Sequence, residues 1–212
     1  EIIPINNKVF YKESPIYLIS LKRTYTANIK KAIRIGYAAR LEAEHKRSDL
    51  ICTLLKELEK RNCNYILDIA GDGSCYEMID IFIKNNNLRK KVNLLGKLEY
   101  SKMHDFWNRQ DIAINLSETE GCSLSMLESM GVGVVNLVTH TLGSEHIIIN
   151  GKNGFLIPIG DISKMADIIY ELEKNRNFLS RIGYEAYMTI KEKCNVECYI
   201  EFWKKNIFEE RD

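Results

Sequence analysis

Residues 112–138 read IAINLSETEGCSLSMLESMGVGVVNLV, a stretch in which two short apolar runs flank a polar loop and a helical pattern. The runs at 112–116 and 134–138 have the length of buried strands, whereas 123–132 carry apolar residues at helical spacing. A strand followed by a helix and a second strand implies a right-handed crossover between parallel strands. The stretch therefore predicts one unit of an α/β fold.

The same alternation continues on both sides of this unit. Further β-favouring runs lie at 33–39, 65–70, 92–95 and 155–157, and helical patterns lie at 50–58, 74–84 and 101–109. Strands that alternate with helices predict an α/β fold, a Rossmann-like parallel sheet with helices on both faces. After residue 161 the pattern is helical to the end, with Asp161 or Ser163 as the first N-cap.

The first 30 residues contain Pro4 and Pro15 and show no sustained helical or strand period. We expect residues 1–30 to be an interdomain connector and residues 31–212 to be one domain with C-terminal helices. The sequence has no apolar run near the ~20 residues that cross a bilayer and no apolar leader. We therefore expect a cytoplasmic location.

The net charge and the cysteines of the chain limit the kinds of partner that we expect. The net charge is +1, from 30 basic and 29 acidic side chains, so no broad field attracts nucleic acid and a small ligand is the expected partner. The six cysteines occur singly at irregular spacings, as reduced thiols do. Cys194 and Cys198 could share a face of one helix, but no histidine lies near enough to complete a metal site.

In a parallel sheet, ligands bind beyond the carboxyl ends of the strands, so the loop at 117–123 is the most informative part of the sequence. Gly121 permits a tight turn there, and Ser123 can cap the next helix, whose free amides form a phosphate cradle. The carboxylates of Glu120 and Glu128 are strong acceptors for hydroxyl groups. Along the chain, the first carboxylate is followed by the free helix amides and then by the second carboxylate. This order fits a ligand with hydroxyls on both sides of a diphosphate, such as a sugar nucleotide.

Glu120 and Glu128, with seven residues between them and Gly121 after the first, resemble the paired-glutamate motif of retaining glycosyltransferases of family 4 (group 1), which have the GT-B fold. Four further segments resemble that family in the same order: 35–46 (IGYAARLEAEHK), 69–74 (IAGDGS), 92–98 (VNLLGKL) and 151–158 (GKNGFLIP). The resemblance implies the C-terminal, donor-binding domain of such an enzyme, without the N-terminal domain that holds an acceptor glycan or glycolipid.

The resemblance also implies residue roles. Arg40 and Lys46 would hold the diphosphate and neutralise the leaving group, and Glu120 would hold the transferred sugar; these are the catalytic candidates. Glu128 would bind the ribose. The remaining donor-binding candidates act mainly through the backbone: Gly71 and Gly73 in a turn, Gly96, Lys97 and Leu98 along the base, and Gly121, Cys122, Ser123 and Leu124 at the phosphates. The loop after Arg40 is one residue longer than the common form, which makes His45 or Arg47 a further phosphate candidate.

The sequence has no Asp-x-Asp motif, so we expect no cofactor and transfer without a metal ion, with retention of the anomeric configuration. Family analogy suggests bacterial surface polysaccharide synthesis, with peripheral membrane association of the full-length enzyme. Two alternatives stay open: a non-catalytic nucleotide-sugar-binding or protein-interaction module, and half of an epimerase or phosphorylase on a similar scaffold. Arg40 could instead pair with Glu42 or Glu44 at the surface.

Overall fold

The computed structural model describes residues 3–5, 8–10, 15–16 and 31–207 of the chain. Its strands, in chain order, are β1 (Ile3–Ile5), β2 (Lys8–Phe10), β3 (Ile33–Ala38), β4 (Tyr65–Ala70), β5 (Val92–Gly96), β6 (Ile112–Asn115), β7 (Val135–Thr139) and β8 (Phe155–Ile157). Strands β3 to β8 form one parallel sheet in the order β5-β4-β3-β6-β7-β8. This result confirms the predicted Rossmann-like sheet.

The strand order reverses between β3 and β6, because the chain adds β4 and β5 on one side of β3 and then returns to add β6 on the other. The two crossovers that leave β3 and β6 therefore diverge, and a crevice opens beyond the carboxyl ends of these two strands. The loops that follow β3 and β6, at residues 39–49 and 116–123, border this crevice.

The helices are α1 (Leu50–Lys60), α2 (Tyr76–Asn85), α3 (Tyr100–Asn108), α4 (Leu124–Gly131), α5 (Leu142–Glu145), α6 (Ile162–Lys174), α7 (Arg176–Lys193) and α8 (Val196–Ile207). They cover both faces of the sheet. On one face Ile33, Ile35 and Tyr37 pack into a core with α1 and α6, and on the other face Phe106 and Trp107 of α3 pack against Ala113.

The C-terminal helical region is divided by asparagines. Asp161 caps α6 by accepting from the Lys164 amide at 3.0 Å, as predicted. Asn175 then ends α6 and caps α7, and Asn195 accepts from the Cys198 amide at 2.7 Å at the start of α8. An asparagine side chain that bonds a nearby amide starts a new helix instead of continuing the old one. The possibility that Cys194 and Cys198 share one helix does not hold, because Cys194 ends α7 and Cys198 lies in α8.

Most of the predicted connector at residues 1–30 lies outside the described residues, so the domain limits stay a prediction. Within it, β1 and β2 form a small antiparallel pair that the sequence pattern did not indicate. The Ile16 amide bonds the Cys194 carbonyl at 2.8 Å, so one residue of this region contacts the end of α7. No helix in the described part of the chain has both the length and the apolar character needed to span a membrane.

Candidate functional site

Two adjoining cavities, with volumes of about 380 and 240 Å³, lie at the carboxyl ends of the strands. The larger one borders the ends of β3 and β4, and the smaller one lies in the crevice between β3 and β6. Both are lined by Ala38, Ala39 and Ser125, so they form one cleft. The predicted site residues that line this cleft are Arg40, Lys46, Gly71, Lys97, Leu98, Glu120, Cys122, Ser123 and Leu124. Segments far apart in the sequence thus converge where the sequence predicted a ligand.

The other predicted site residues do not line the cleft; they are Gly73, Gly96, Gly121 and Glu128.

The turn after β4 contains two glycines with positive φ. Gly71 and Gly73 have φ values of +148° and +150°, and a Cβ on Gly71 would lie 1.9 Å from the Ala39 carbonyl oxygen. Only glycine fits such a close backbone approach at such a φ. The turn after β4 therefore packs against the start of the loop after β3.

The centre of the cleft contains an ion pair that the sequence did not predict. Lys46 Nζ lies 2.5 Å from Glu120 Oε2, and the two side chains are 22% and 17% exposed. The same carboxylate oxygen accepts from Ser117 Oγ at 3.4 Å. The predicted phosphate ligand and the predicted sugar ligand therefore contact each other directly, although 74 residues separate them in the sequence.

The loop that carries Lys46 is held by the strand before it. The buried Tyr37 hydroxyl lies 2.9 Å from Ser48 Oγ, which donates to the Arg40 carbonyl at 3.2 Å. Burial raises the pKa of Tyr37 to about 12, and the Ser48 bond opposes part of this shift. Tyr37 stays neutral at physiological pH and acts as an anchor.

Arg40 lines the cleft but points largely to solvent. Its side chain is 70% exposed, and its Nη1 atom lies 3.2 Å from Glu42 Oε1, which is the surface pair that the sequence left open. Such an exposed pair contributes about 0 to 1 kcal/mol, so a phosphate could displace Glu42 at little cost. His45 and Arg47, the further phosphate candidates, do not line the cleft.

The start of α4 opens into the second cavity. Ser123 is its N-cap, as predicted, and its Oγ accepts from the Met126 amide at 3.3 Å. Asn115, at the end of β6, donates to the same oxygen at 3.3 Å. Because the first amides of a helix have no partner within it, this end carries a partial positive charge suited to an anion.

The reason given for Gly121 was wrong, and Gly143 is the glycine that this region needs. A Cβ on Gly121 would meet nothing within 4 Å, whereas one on Gly143 would lie 2.3 Å from the Gly121 carbonyl oxygen. The Gly143 amide also donates to the Glu120 carbonyl at 2.9 Å. The sequence signal was a lone glycine within residues 142–148, a stretch that matches none of the family segments quoted above.

Glu128 lies one helical turn beyond Ser125 on α4, so it faces the same side of the helix as the cleft residue. Burial raises the pKa of the Glu128 carboxyl, and the Trp107 indole lowers it by a smaller amount. The indole Nε1 has no hydrogen-bond partner of standard geometry within the described residues. Glu128 is therefore a half-buried acid near a donor that is not fully satisfied.

A third cavity of about 570 Å³ lies over β4 and β5 and touches the cleft only at Leu98. Its floor is the buried Asp68, which accepts from Gln110 at 2.9 Å and Asn93 at 2.7 Å and pairs with Arg34. The carboxylate is thus already neutralised within the protein. No predicted site residue except Leu98 lines this cavity.

Comparison with known proteins identifies the family. The model of the family described as glycosyl transferases group 1 matches residues 22–189. The chain belongs to this family. It is 30% identical over 173 residues to the poly(ribitol-phosphate) α-N-acetylglucosaminyltransferase of Staphylococcus aureus, covering 80% of this chain and 34% of that protein. It is 25% identical to the N-acetyl-α-D-glucosaminyl L-malate synthase of Bacillus anthracis, covering 91% and 49%.

Solved structures of group 1 and related glycosyltransferases share the fold. A Staphylococcus aureus TarM variant in complex with fondaparinux, α-GlcNAc-glycerol and UDP superposes with a TM-score of 0.74 at 26% identity, covering 88% of this chain and 37% of that one. The C-terminal domain of LpcC from Francisella tularensis gives a TM-score of 0.70 at 18% identity, covering 85% and 96%. The chain spans about a third to a half of the length of the two curated relatives cited above.

Proposed function

We propose that this chain is the donor-binding, C-terminal domain of a retaining glycosyltransferase of family 4, and that its cleft binds a nucleotide-diphosphate sugar. The observation that carries the proposal is the convergence of the Lys46 and Glu120 pair with the start of α4 at the switch point of the sheet. Positive and negative groups lie side by side there, as a ligand with both phosphates and hydroxyls requires.

The proposed chemistry follows from charge development at the scissile bond. As the sugar leaves the diphosphate, negative charge grows on the leaving group, and preorganised positive groups stabilise it. The Lys46 ammonium has three hydrogens, so it can keep Glu120 and still donate to a phosphate oxygen. The α4 amides and Arg40 add to this field, while the second Glu120 oxygen is available for a sugar hydroxyl.

These residues also motivate the proposal of metal-free transfer. In the described residues no group of three or more His, Cys, Asp or Glu side chains could hold a metal ion. Lys46, Arg40 and the start of α4 would supply the positive charge that a divalent ion supplies elsewhere. Chelation with EDTA is therefore expected to leave nucleotide binding unchanged within twofold, and a larger loss would contradict metal independence.

We propose a UDP-sugar as the donor, with N-acetylglucosamine as the first sugar to test. The two relatives described above are both named for an N-acetylglucosaminyl group, and the TarM structure contains UDP. The names of both relatives specify an α-linked sugar. The sugar is α-linked in UDP-N-acetylglucosamine, so an α-linked product supports retention.

The whole enzyme would need a second domain. The relatives are about two to three times longer than the aligned region, and the LpcC fragment with the same fold is named as a C-terminal domain. We propose that an N-terminal domain binds an acceptor glycan or glycolipid of a bacterial surface polysaccharide, in the cytoplasm and at the membrane surface. The chain alone is then expected to bind donor weakly and to transfer almost no sugar.

Calorimetric titration of the chain with UDP-, GDP- and ADP-sugars tests the proposal. The wild type should bind at least one UDP-sugar, and the Arg40→Ala and Glu128→Ala double variant should bind it at least tenfold more weakly. Arg89→Ala is the matched control, because Arg89 also forms an exposed ion pair, with Asp80, outside the cleft. Equal binding by the wild type and the double variant would refute the site, and brisk transfer by the chain alone would refute the two-domain arrangement.

A further inference from the structure

The loop that carries Lys46 has an unusual backbone. His45 and Arg47, on either side of Lys46, have φ values of 59° and 49°, in the left-handed region that residues other than glycine rarely adopt. Such conformations persist where surrounding contacts hold them, and they cluster at ligand sites. The contacts that hold this loop are therefore informative about the cleft.

The Arg47 side chain supplies three of these contacts. Its Nε and Nη2 atoms face the two carboxylate oxygens of Asp49 at 3.2 and 3.4 Å, and its Nη1 atom bonds Glu118. Asp49, followed by Glu118, raises the pKa of the Arg47 guanidinium, which is charged at physiological pH in any case. Asp49 occupies the N-cap position of α1 with helical φ and ψ of −56° and −33° and makes no side-chain capping bond, and its carboxylate bonds Arg47.

Besides the Lys46 and Glu120 pair, three contacts join the Lys46 loop to the Glu120 loop. The Glu118 amide donates to the His45 carbonyl at 2.8 Å, Thr119 Oγ1 lies 3.3 Å from His45 Nδ1, and Arg47 pairs with Glu118. The Lys46 and Glu120 pair lies beside them in the cleft. A change in the relative position of the two loops would therefore displace both cleft side chains.

We propose that Arg47 is a positioning residue that clamps the two loops together and so holds Lys46 and Glu120 in the geometry that binds the donor diphosphate. This inference rests on the proposed function for its ligand, although the clamp itself is a property of the free chain. Arg47 does not line the cleft, and each guanidinium nitrogen already faces a carboxylate. Its effect on a ligand must pass through Lys46 and Glu120.

A double-mutant cycle on UDP affinity separates this role from direct phosphate contact. Arg47→Ala should weaken UDP binding about tenfold in the wild-type background but less than twofold in the Lys46→Ala background, because coupled residues are non-additive. Arg47→Lys should restore part of the affinity. An equal loss in both backgrounds would show direct phosphate contact, and no loss in the wild-type background would show that the clamp is dispensable; either result overturns the proposal.

Hydrogen exchange tests the clamp without any ligand. In Arg47→Ala the Glu118 amide should exchange at least tenfold faster, whereas the Cys75 amide, which bonds the Leu41 carbonyl at 2.8 Å, should be unchanged. If the wild type binds no UDP but Glu118 exchange accelerates, the nucleotide proposal falls and the clamp stands. Unchanged Glu118 exchange overturns the clamp whatever the binding result.

Discussion

The two sides of the cleft are built in different ways. The polar flank, residues 40–48 and 117–124, combines charged side chains with the free amides at the start of α4, and its Lys46 and Glu120 are in direct contact at 2.5 Å. The glycine flank, residues 71–73 and 96–98, is made mainly of backbone, and its exposed cation Lys97 has no ion-pair partner within the described residues. This difference suggests that the polar flank selects the charged part of a ligand and the glycine flank provides a fixed surface for a flat part.

The largest expected effect is a loss of stability on the glycine flank. Gly71→Ala places a Cβ 1.9 Å from the Ala39 carbonyl oxygen, so we expect it to lower the free energy of unfolding by about 3 kcal/mol or more. Gly96→Ala is the control, since its Cβ would meet nothing within 4 Å and only the φ of +67° opposes it, at roughly 1 to 2 kcal/mol. Urea unfolding measures both, and equal losses would contradict a steric requirement at Gly71.

The next largest effect is on the affinity for UDP, and it should differ between the two flanks. Lys46→Ala should weaken UDP binding about 10- to 100-fold, because it removes a charged donor and leaves Glu120 unpaired beside a phosphate. Lys97→Ala should weaken it only about twofold, since an exposed charge contributes little. Lys91→Ala, which breaks a 2.6 Å pair with Glu59 near the other end of the strands, controls for the loss of a lysine. A larger loss from Lys97→Ala than from Lys46→Ala would reverse the assignment of the two flanks.

The smallest effect concerns Glu128, beside the polar flank. Its pKa is raised above the ordinary 4.5 by burial, so the folded protein binds its proton more tightly than the unfolded chain does. This contribution to stability is present at acid pH and is lost as the pH rises from about 4.5 through the higher folded pKa. Glu128→Gln should therefore stabilise the fold at pH 7, by less than about 1 kcal/mol, and give no gain near pH 4.

Urea unfolding of this variant at both pH values, with the exposed Glu171→Gln as control, measures the effect. A larger gain at pH 4 than at pH 7 would contradict the direction of the shift.

Features that depend on neighbouring residues were predicted well from the sequence. Ser123 could be recognised as an N-cap because capping depends on residues a few positions apart. The six parallel strands were predicted to within one or two residues for the same local reason, since short apolar runs between helical patterns identify them.

Contacts between distant segments were the part that the sequence did not predict. Lys46 meets Glu120, and Gly143 packs against Gly121, because the sheet order brings separate loops to one edge. A pattern of neighbouring residues does not predict contacts between residues so far apart in the sequence. Gly121 was given a role that needs glycine, whereas the close approach requires glycine at Gly143 of α5, because a glycine in a sequence does not show which segment approaches it.

The most direct test of the cleft is the change in amide NMR signals of the chain on titration with UDP. The account predicts the largest shifts at Cys122, Ser123 and Leu124, with smaller ones at Gly71 and Lys97 across the cleft. Shifts confined to the cavity lined by Asp68, Asn93 and Arg109, or no shifts at millimolar UDP, would contradict it.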